Sequence, residues 1–203
     1  MILYGRDLSP FTRRVAIWMA LQGREVERRP VAMTDPADRE TLRAVNPLAR
    51  VPTLVNHDGA MLCECFAICD WLDETAPDRR LVPAAGEARR ATMARIAVAS
   101  ATTDKAVALF YEAVRRPEAY RWADWIAHLS AQVNGGLDLL EQEAPAAFWG
   151  GEAPDGSDIA VACLSDFVAH TGPQLEIARR CPGLAAHAAR AATLAPFAGT
   201  RPG

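Results

Sequence analysis

The sequence predicts two unlike halves, a mixed α/β domain followed by an all-helical one. Three observations carry that prediction. Short strand-like runs alternate with amphipathic helical stretches up to about residue 75, and strand signals stop there. Long helical patterns fill the remainder. Between the two lies "TAPDRRLVPAAGE" (75–87), a Pro-rich, charged stretch of linker character. The expected division is 1–76 for the first domain, 77–87 for the linker and 88–203 for the helical domain.

Each element follows from local chemistry. Ile2-Leu3-Tyr4 is a short apolar run ended by Gly5, a strand. Ser9 followed by Pro10 is a strong helix start, because serine accepts from an otherwise orphaned N–H and proline's fixed φ suits the first helical position. Phe11, Val15, Trp18, Met19 and Leu21 keep helical spacing, and Gly23 is a natural stop. Residues 25–33 alternate well enough for a second strand. Asp35 and Pro36 open a short helix to residue 45. Residues 50–63 read as two strands around Asp58-Gly59, a hairpin signal. Cys65, Ile68, Cys69 and Leu72 then fall on one helix face. The predicted order is β-α-β-α-β-β-α.

In the helical half, residues 88–115 and 118–144 are long helical patterns. Trp122, Trp125, Ile126, Leu129, Val133, Leu137 and Leu140 form a stripe in the second. A turn-rich run (149–158) precedes another helix carrying Ala160, Cys163, Leu164 and Phe167 on one face. At its start, Asp155 and Asp158 make a variant capping box with a structural role, so loss of Asp158 is expected to impair folding rather than chemistry.

Composition narrows the function. Half of the residues are apolar and 23% charged, the balance of a globular protein. A net charge of -3 gives no electrostatic case for nucleic acid or an anionic membrane. The longest apolar run, residues 15–21, is too short to span a bilayer. No charged segment followed by an apolar core opens the chain, and an odd five cysteines fit a reducing compartment, so a cytoplasmic location is expected. Cys63, Cys65 and Cys69 have no partner pair for structural zinc and make no Cys-x-x-Cys, so no metal site is expected. The four histidines are scattered.

Four segments, in order, resemble the cytosolic glutathione transferase family, of a serine-type, bacterial-like kind. They are "LYGRDLSPFTRRV" (3–15), "NPLARVPTLV" (46–55), "ECFAICDWL" (64–72) and "DGSDIAV" (155–161), and the resemblance covers essentially the whole chain. It implies a thioredoxin-like, glutathione-binding first domain and an all-α second one in a cytoplasmic homodimer. The implied activity is detoxifying transfer of alkyl or aryl groups, with glutathione as co-substrate and an electrophilic small molecule or peroxide as its partner.

The resemblance also assigns roles. Ser9 takes the catalytic serine position, with Tyr4 its competitor and Thr12 a reserve donor. Pro52 corresponds to a cis-proline, and the Val51 backbone to the strand-like contact with glutathione's cysteinyl unit. Arg50 would meet the glycine carboxylate and Glu64 the γ-glutamyl ammonium. Cys65 departs from the pattern. It stands where the family has a serine or threonine binding the γ-glutamyl carboxylate, and a thiol is a weak donor. Phe110, Tyr111 and Trp122 are candidates for an apolar co-substrate pocket.

Ser9 could be cap and catalyst together. Lowering a thiol pKa by roughly 2 units requires about 2.7 kcal/mol of preference for the thiolate. A helix dipole supplies about 0.3–1 kcal/mol, and a hydrogen bond to a charged group about 1.5–3 kcal/mol. Together they suffice; either alone is marginal. Two other classes stay open: a non-catalytic binding or regulatory protein of the same fold, and a glutathione-dependent isomerase or dehalogenase.

Overall fold

A computed structural model describes residues 1–202. Its elements run β1 (Ile2–Tyr4), α1 (Pro10–Leu21), β2 (Glu27–Arg29), α2 (Pro36–Val45), β3 (Thr53–Val55), β4 (Met61–Cys63), α3 (Cys65–Glu74), α4 (Gly86–Phe110), α5 (Ala123–Gln142), α6 (Gly156–Thr171), α7 (Ile177–Arg180), α8 (Pro182–Ala191) and α9 (Ala195–Ala198). They form two compact units. One joins Met1–Leu81 to the residues from Ala195 on; the other is Val82–Leu194.

The first unit is a four-stranded mixed sheet in the order β2-β1-β3-β4, with β1 parallel to β2 and antiparallel to β3, and β3 antiparallel to β4. The elements keep the predicted β-α-β-α-β-β-α order, and the arrangement is the thioredoxin-like one that the family resemblance implied. Successive strand residues face opposite sides. Leu3 and its neighbour Leu54 are wholly buried, while Tyr4 packs with Val31 and Leu42 in a separate cluster. The second strand is shorter than the alternation of residues 25–33 suggested, because Pro30 has no N–H to extend the ladder. Asp73 on α3 accepts from Trp18 Nε1 (2.8 Å) and Gln22 Nε2 (2.8 Å), fastening α3 to α1. The end of the chain returns to α1. Phe197 is fully buried, and the buried Arg13 donates from Nη2 to its carbonyl (3.3 Å) and from Nε to Thr200 Oγ1 (3.3 Å). No local pattern announces that return.

The second unit is all-helical. α4 and α5 approach closely where Gly136 sits; a Cβ there would lie 1.9 Å from Thr102 Oγ1. The two helical runs are interrupted earlier than the periodicity suggested. α4 gives way to a π-helical turn at Tyr111–Arg115, and α5 begins only at Ala123. Pro117 offers no N–H to continue the helix, and the Arg116 N–H closes onto the Tyr111 carbonyl at 2.8 Å. Glu112 pins the irregular segment, accepting from Arg116 Nε (2.7 Å) and Trp122 N (3.2 Å).

α6 carries the predicted capping box. Asp155 Oδ1 accepts from Ser157 N and Asp158 N, and Asp158 Oδ2 accepts from Asp155 N (2.8 Å). Asp158 does more than cap. It also accepts from Trp149 N (2.9 Å) and Gly150 N (3.0 Å), and shares a 2.8 Å hydrogen bond with His187 Nε2. Among the described residues no helix is long and apolar enough to cross a membrane.

Candidate active site

Sheet register brings three loops to one end of the first unit. Tyr4 is opposite Thr53, and Thr53 is opposite Cys63. The residues that follow Tyr4, precede Thr53 and follow Cys63 therefore emerge side by side. Those are the Gly5–Ser9 loop, the Val51-Pro52 step and Glu64-Cys65. Residues some 55 positions apart in sequence share one rim.

The first loop is built to hold Ser9 at the start of α1. Gly5 has φ +129°, and a Cβ there would lie 2.4 Å from Thr12 Oγ1, so the turn needs glycine. Asp7 is gripped by Arg28 of β2 at 2.5 Å. Ser9 N donates to the Arg6 carbonyl (3.0 Å), and Ser9 Oγ accepts from Thr12 N at 3.3 Å as the N-cap. An accepting hydroxyl still has its own hydrogen to donate. Tyr4 is engaged elsewhere: its ring is 4% exposed, and its hydroxyl accepts from Arg29 Nη1 at 2.9 Å beneath the guanidinium. The Thr12 side chain is fully buried against Gly5.

The Val51–Pro52 peptide is cis. Asn46, wholly buried, organises the loop before it. Its Oδ1 accepts from Leu48 N (3.0 Å), its Nδ2 donates to Thr53 Oγ1 (2.9 Å), and Thr53 Oγ1 donates to the Arg50 carbonyl (2.7 Å). Sequence reading passed over Asn46. The Asn46-Pro47 pair was its only signal, and that marks a turn without saying what the amide holds.

Glu64 and Cys65 form the third edge. Glu64 has φ +68°, a left-handed conformation that costs about 1–3 kcal/mol in a non-glycine residue and clusters at functional sites. It precedes α3 without a side-chain cap, whereas α1, α2 and α6 are each capped by their own side chains. The first N–H groups of α3 thus have no side-chain acceptor, and they favour an anion. Arg50 and Glu64, placed by sequence reading at different parts of one ligand, pair with each other at 3.2 Å. The Cys65 side chain is 5% exposed. A hydrogen bond from Cys69, with help from the Arg14 guanidinium, holds the Cys65 thiol below its ordinary value, while burial pushes Cys69 well up.

In the second unit, Phe110 meets Tyr111 and Phe167 edge-on at 5.9 and 6.1 Å. It lines a small cleft with Leu109, Val114, Val168 and Leu175. Trp122 does not join them; it is 63% exposed and stacks on Trp125 at 6.4 Å.

Comparison with known proteins agrees in extent and kind. Residues 3–80 match the family model described as Glutathione S-transferase, N-terminal domain, and residues 123–190 match Glutathione S-transferase, C-terminal domain. A glutathione S-transferase from Methylobacillus flagellatus, solved with GSH bound, superposes with TM-score 0.90 at 29% identity, over 100% of this chain and 99% of that one. One from Methylobacterium radiotolerans, in complex with glutathione sulfonate, gives TM-score 0.91 at 27% identity, over 99% and 94%. A probable maleylacetoacetate isomerase of Caenorhabditis elegans is 37% identical over 82 residues. That stretch is 40% of this chain and 38% of the relative, so well under half of the relative's length is matched.

Proposed function

The chain belongs to the glutathione S-transferase family, and from that premise we propose that it binds glutathione at the rim of its first unit and activates the thiol there. The single observation that carries the reading is the sheet register, which gathers Ser9, Val51-Pro52 and Glu64-Cys65 at one end. The uncapped N-terminus of α3 supports a seat for the γ-glutamyl carboxylate, with Glu64 taking the adjacent ammonium. Val51's backbone, before the cis-proline, offers the cysteinyl unit a strand-like partner. Arg50 takes the glycine carboxylate. Ser9 Oγ donates to the thiolate, and the N-terminus of α1 adds its dipole. The activated sulfur attacks an electrophilic carbon or a peroxide oxygen.

Whether the attack ends in transfer or in isomerisation depends on what leaves. In a transferase the conjugate departs and glutathione is consumed. In an isomerase the sulfur adds, the carbon skeleton rotates, and glutathione is expelled unchanged. Identity to the maleylacetoacetate isomerase over 82 residues favours isomerisation as a second reading. The exposed Met61 and Phe66, on β4 and α3, support a homodimer.

The test is ultraviolet difference absorbance of the thiolate as glutathione is added across a pH series. A saturable signal well below the free thiol's pKa, absent from Ser9→Ala, is expected; its absence from the wild type would move the protein to the non-catalytic class. Total glutathione after turnover of maleylacetoacetate, or of an aryl halide, separates the two chemistries.

A further inference from the structure

We infer that Cys65 and Cys69 form a two-thiolate clip for a soft, two-coordinate cation, with monovalent copper the species that fits. The two cysteines sit one turn apart at the start of α3, 5% and 6% exposed.

Spacing decides what such a pair can do. Helical positions i and i+4 place their Cβ atoms about 5–6 Å apart. A disulfide needs about 3.5–4.5 Å, so direct oxidation would have to distort the first turn of α3. An ion placed between the sulfurs removes that mismatch, because two metal–sulfur bonds span further than one sulfur–sulfur bond.

Ligand chemistry narrows the ion. Thiolates select soft centres such as Cu(I), and carboxylates or water suit hard ones. Structural zinc takes four ligands, and among the described residues no cluster of three or more metal-binding side chains exists. A linear d10 ion asks for two. Of the other cysteines, Cys63 is on β4, and Cys163 and Cys181 belong to the second unit.

Charge closes the account. Both thiols release their protons as the ion binds: two thiols and Cu(I) become a bis-thiolate complex of charge -1 and two protons, with no electron transferred. Arg14, buried on α1, offsets only part of that charge. Near-complete burial excludes competing water.

The clip stands on these residues alone. Its coupling to glutathione rests on the proposed function, since the Cys65 N–H lies at the α3 N-terminus assigned to the γ-glutamyl carboxylate. An anionic complex there would repel that carboxylate, so copper and glutathione should exclude one another.

The experiment is an anaerobic titration of the reduced protein with Cu(I) against a chromophoric Cu(I) chelator. One retained equivalent is expected, weakened by about tenfold or more in each of Cys65→Ser and Cys69→Ala and unchanged in Cys63→Ser, all checked for wild-type circular dichroism. Retention equal to wild type in either Cys65→Ser or Cys69→Ala, or complete extraction by the chelator, would overturn the clip. S-methylglutathione, which carries no free thiol, is then titrated with and without bound copper. Affinity about tenfold weaker with copper supports the coupling, and unchanged affinity overturns the coupling alone. Failure of S-methylglutathione to bind the copper-free protein would count against the glutathione reading and leave the copper result to stand separately.

Discussion

Arg50 and Glu64 hold each other at 3.2 Å, although both side chains are more than half exposed. An exposed pair of this kind contributes only about 0–1 kcal/mol, so it is easily exchanged for a ligand with its own separated charges. Glu64→Gln should therefore leave the melting temperature nearly unchanged. It should weaken S-methylglutathione by roughly tenfold or more, the loss of one hydrogen bond between charged groups, about 1.5–3 kcal/mol. Calorimetric titration and thermal melts on the same samples check both halves.

Ser9 invites a comparison of two substitutions. Removing an N-cap serine costs typically about 1 kcal/mol when alanine replaces it and only a few tenths when glycine does. Both lose the hydroxyl equally. If Ser9 serves the thiolate, Ser9→Gly and Ser9→Ala raise the bound thiol's pKa by about the same amount, roughly 1–2 units for a charged hydrogen bond of about 1.5–3 kcal/mol. Their stabilities nonetheless differ. A pKa change that tracked stability across the pair would make Ser9 a cap and nothing more.

Cys65→Ser replaces a weak donor by a hydroxyl at the start of α3. A neutral hydrogen bond adds about 0.5–1.5 kcal/mol, so S-methylglutathione should bind roughly three- to tenfold tighter in copper-free protein. Isothermal titration settles the sign; weaker binding would place the γ-glutamyl carboxylate away from residue 65.

What was legible in the sequence follows a physical division. Caps and turns are local chemistry, so Ser9, Asp35, Asp155 and the Asp58-Gly59 hairpin could be read from a few neighbouring residues. The site's rim could be placed because family resemblance supplied the pairing of distant segments. Bonds between remote residues left no local trace. Asn46 to Thr53, Arg28 to Asp7, Arg13 to Thr200 and Asp158 to His187 all depend on the completed fold. His187 was one of four scattered histidines until the fold brought it to a buried carboxylate. Even local rules failed where one residue overrode a pattern, as Pro30 and Pro117 did.

Asp158 is the residue whose loss should damage the fold most selectively. It is fully buried and accepts from Trp149, Gly150, Asp155 and His187 together. Burial opposes its ionisation, but the bonds from His187 and from three backbone N–H groups outweigh it and hold its pKa below the ordinary carboxylate value. A carboxyl lowered in the folded state stabilises above its unfolded pKa of about 3.9, and that stability is lost as pH falls through the folded value. Asp155 has the opposite sign. Burial raises it, so its stabilising effect belongs to acid and disappears as pH rises. The wild type should therefore lose stability below about pH 4, partly offset by Asp155. In Asp158→Asn the amide nitrogen faces donors, and each buried group left unsatisfied costs about 1–3 kcal/mol. The melting temperature at pH 7 should drop by about 10 °C or more, and the acid limb of the stability curve should flatten. Thiolate absorbance per folded molecule should stay at the wild-type level, because Asp158 belongs to the helical unit and Ser9 to the other. Thermal melts from pH 3 to 8 with that absorbance measured alongside distinguish a folding residue from a catalytic one. A selective loss of thiolate in a stably folded variant would reverse the assignment.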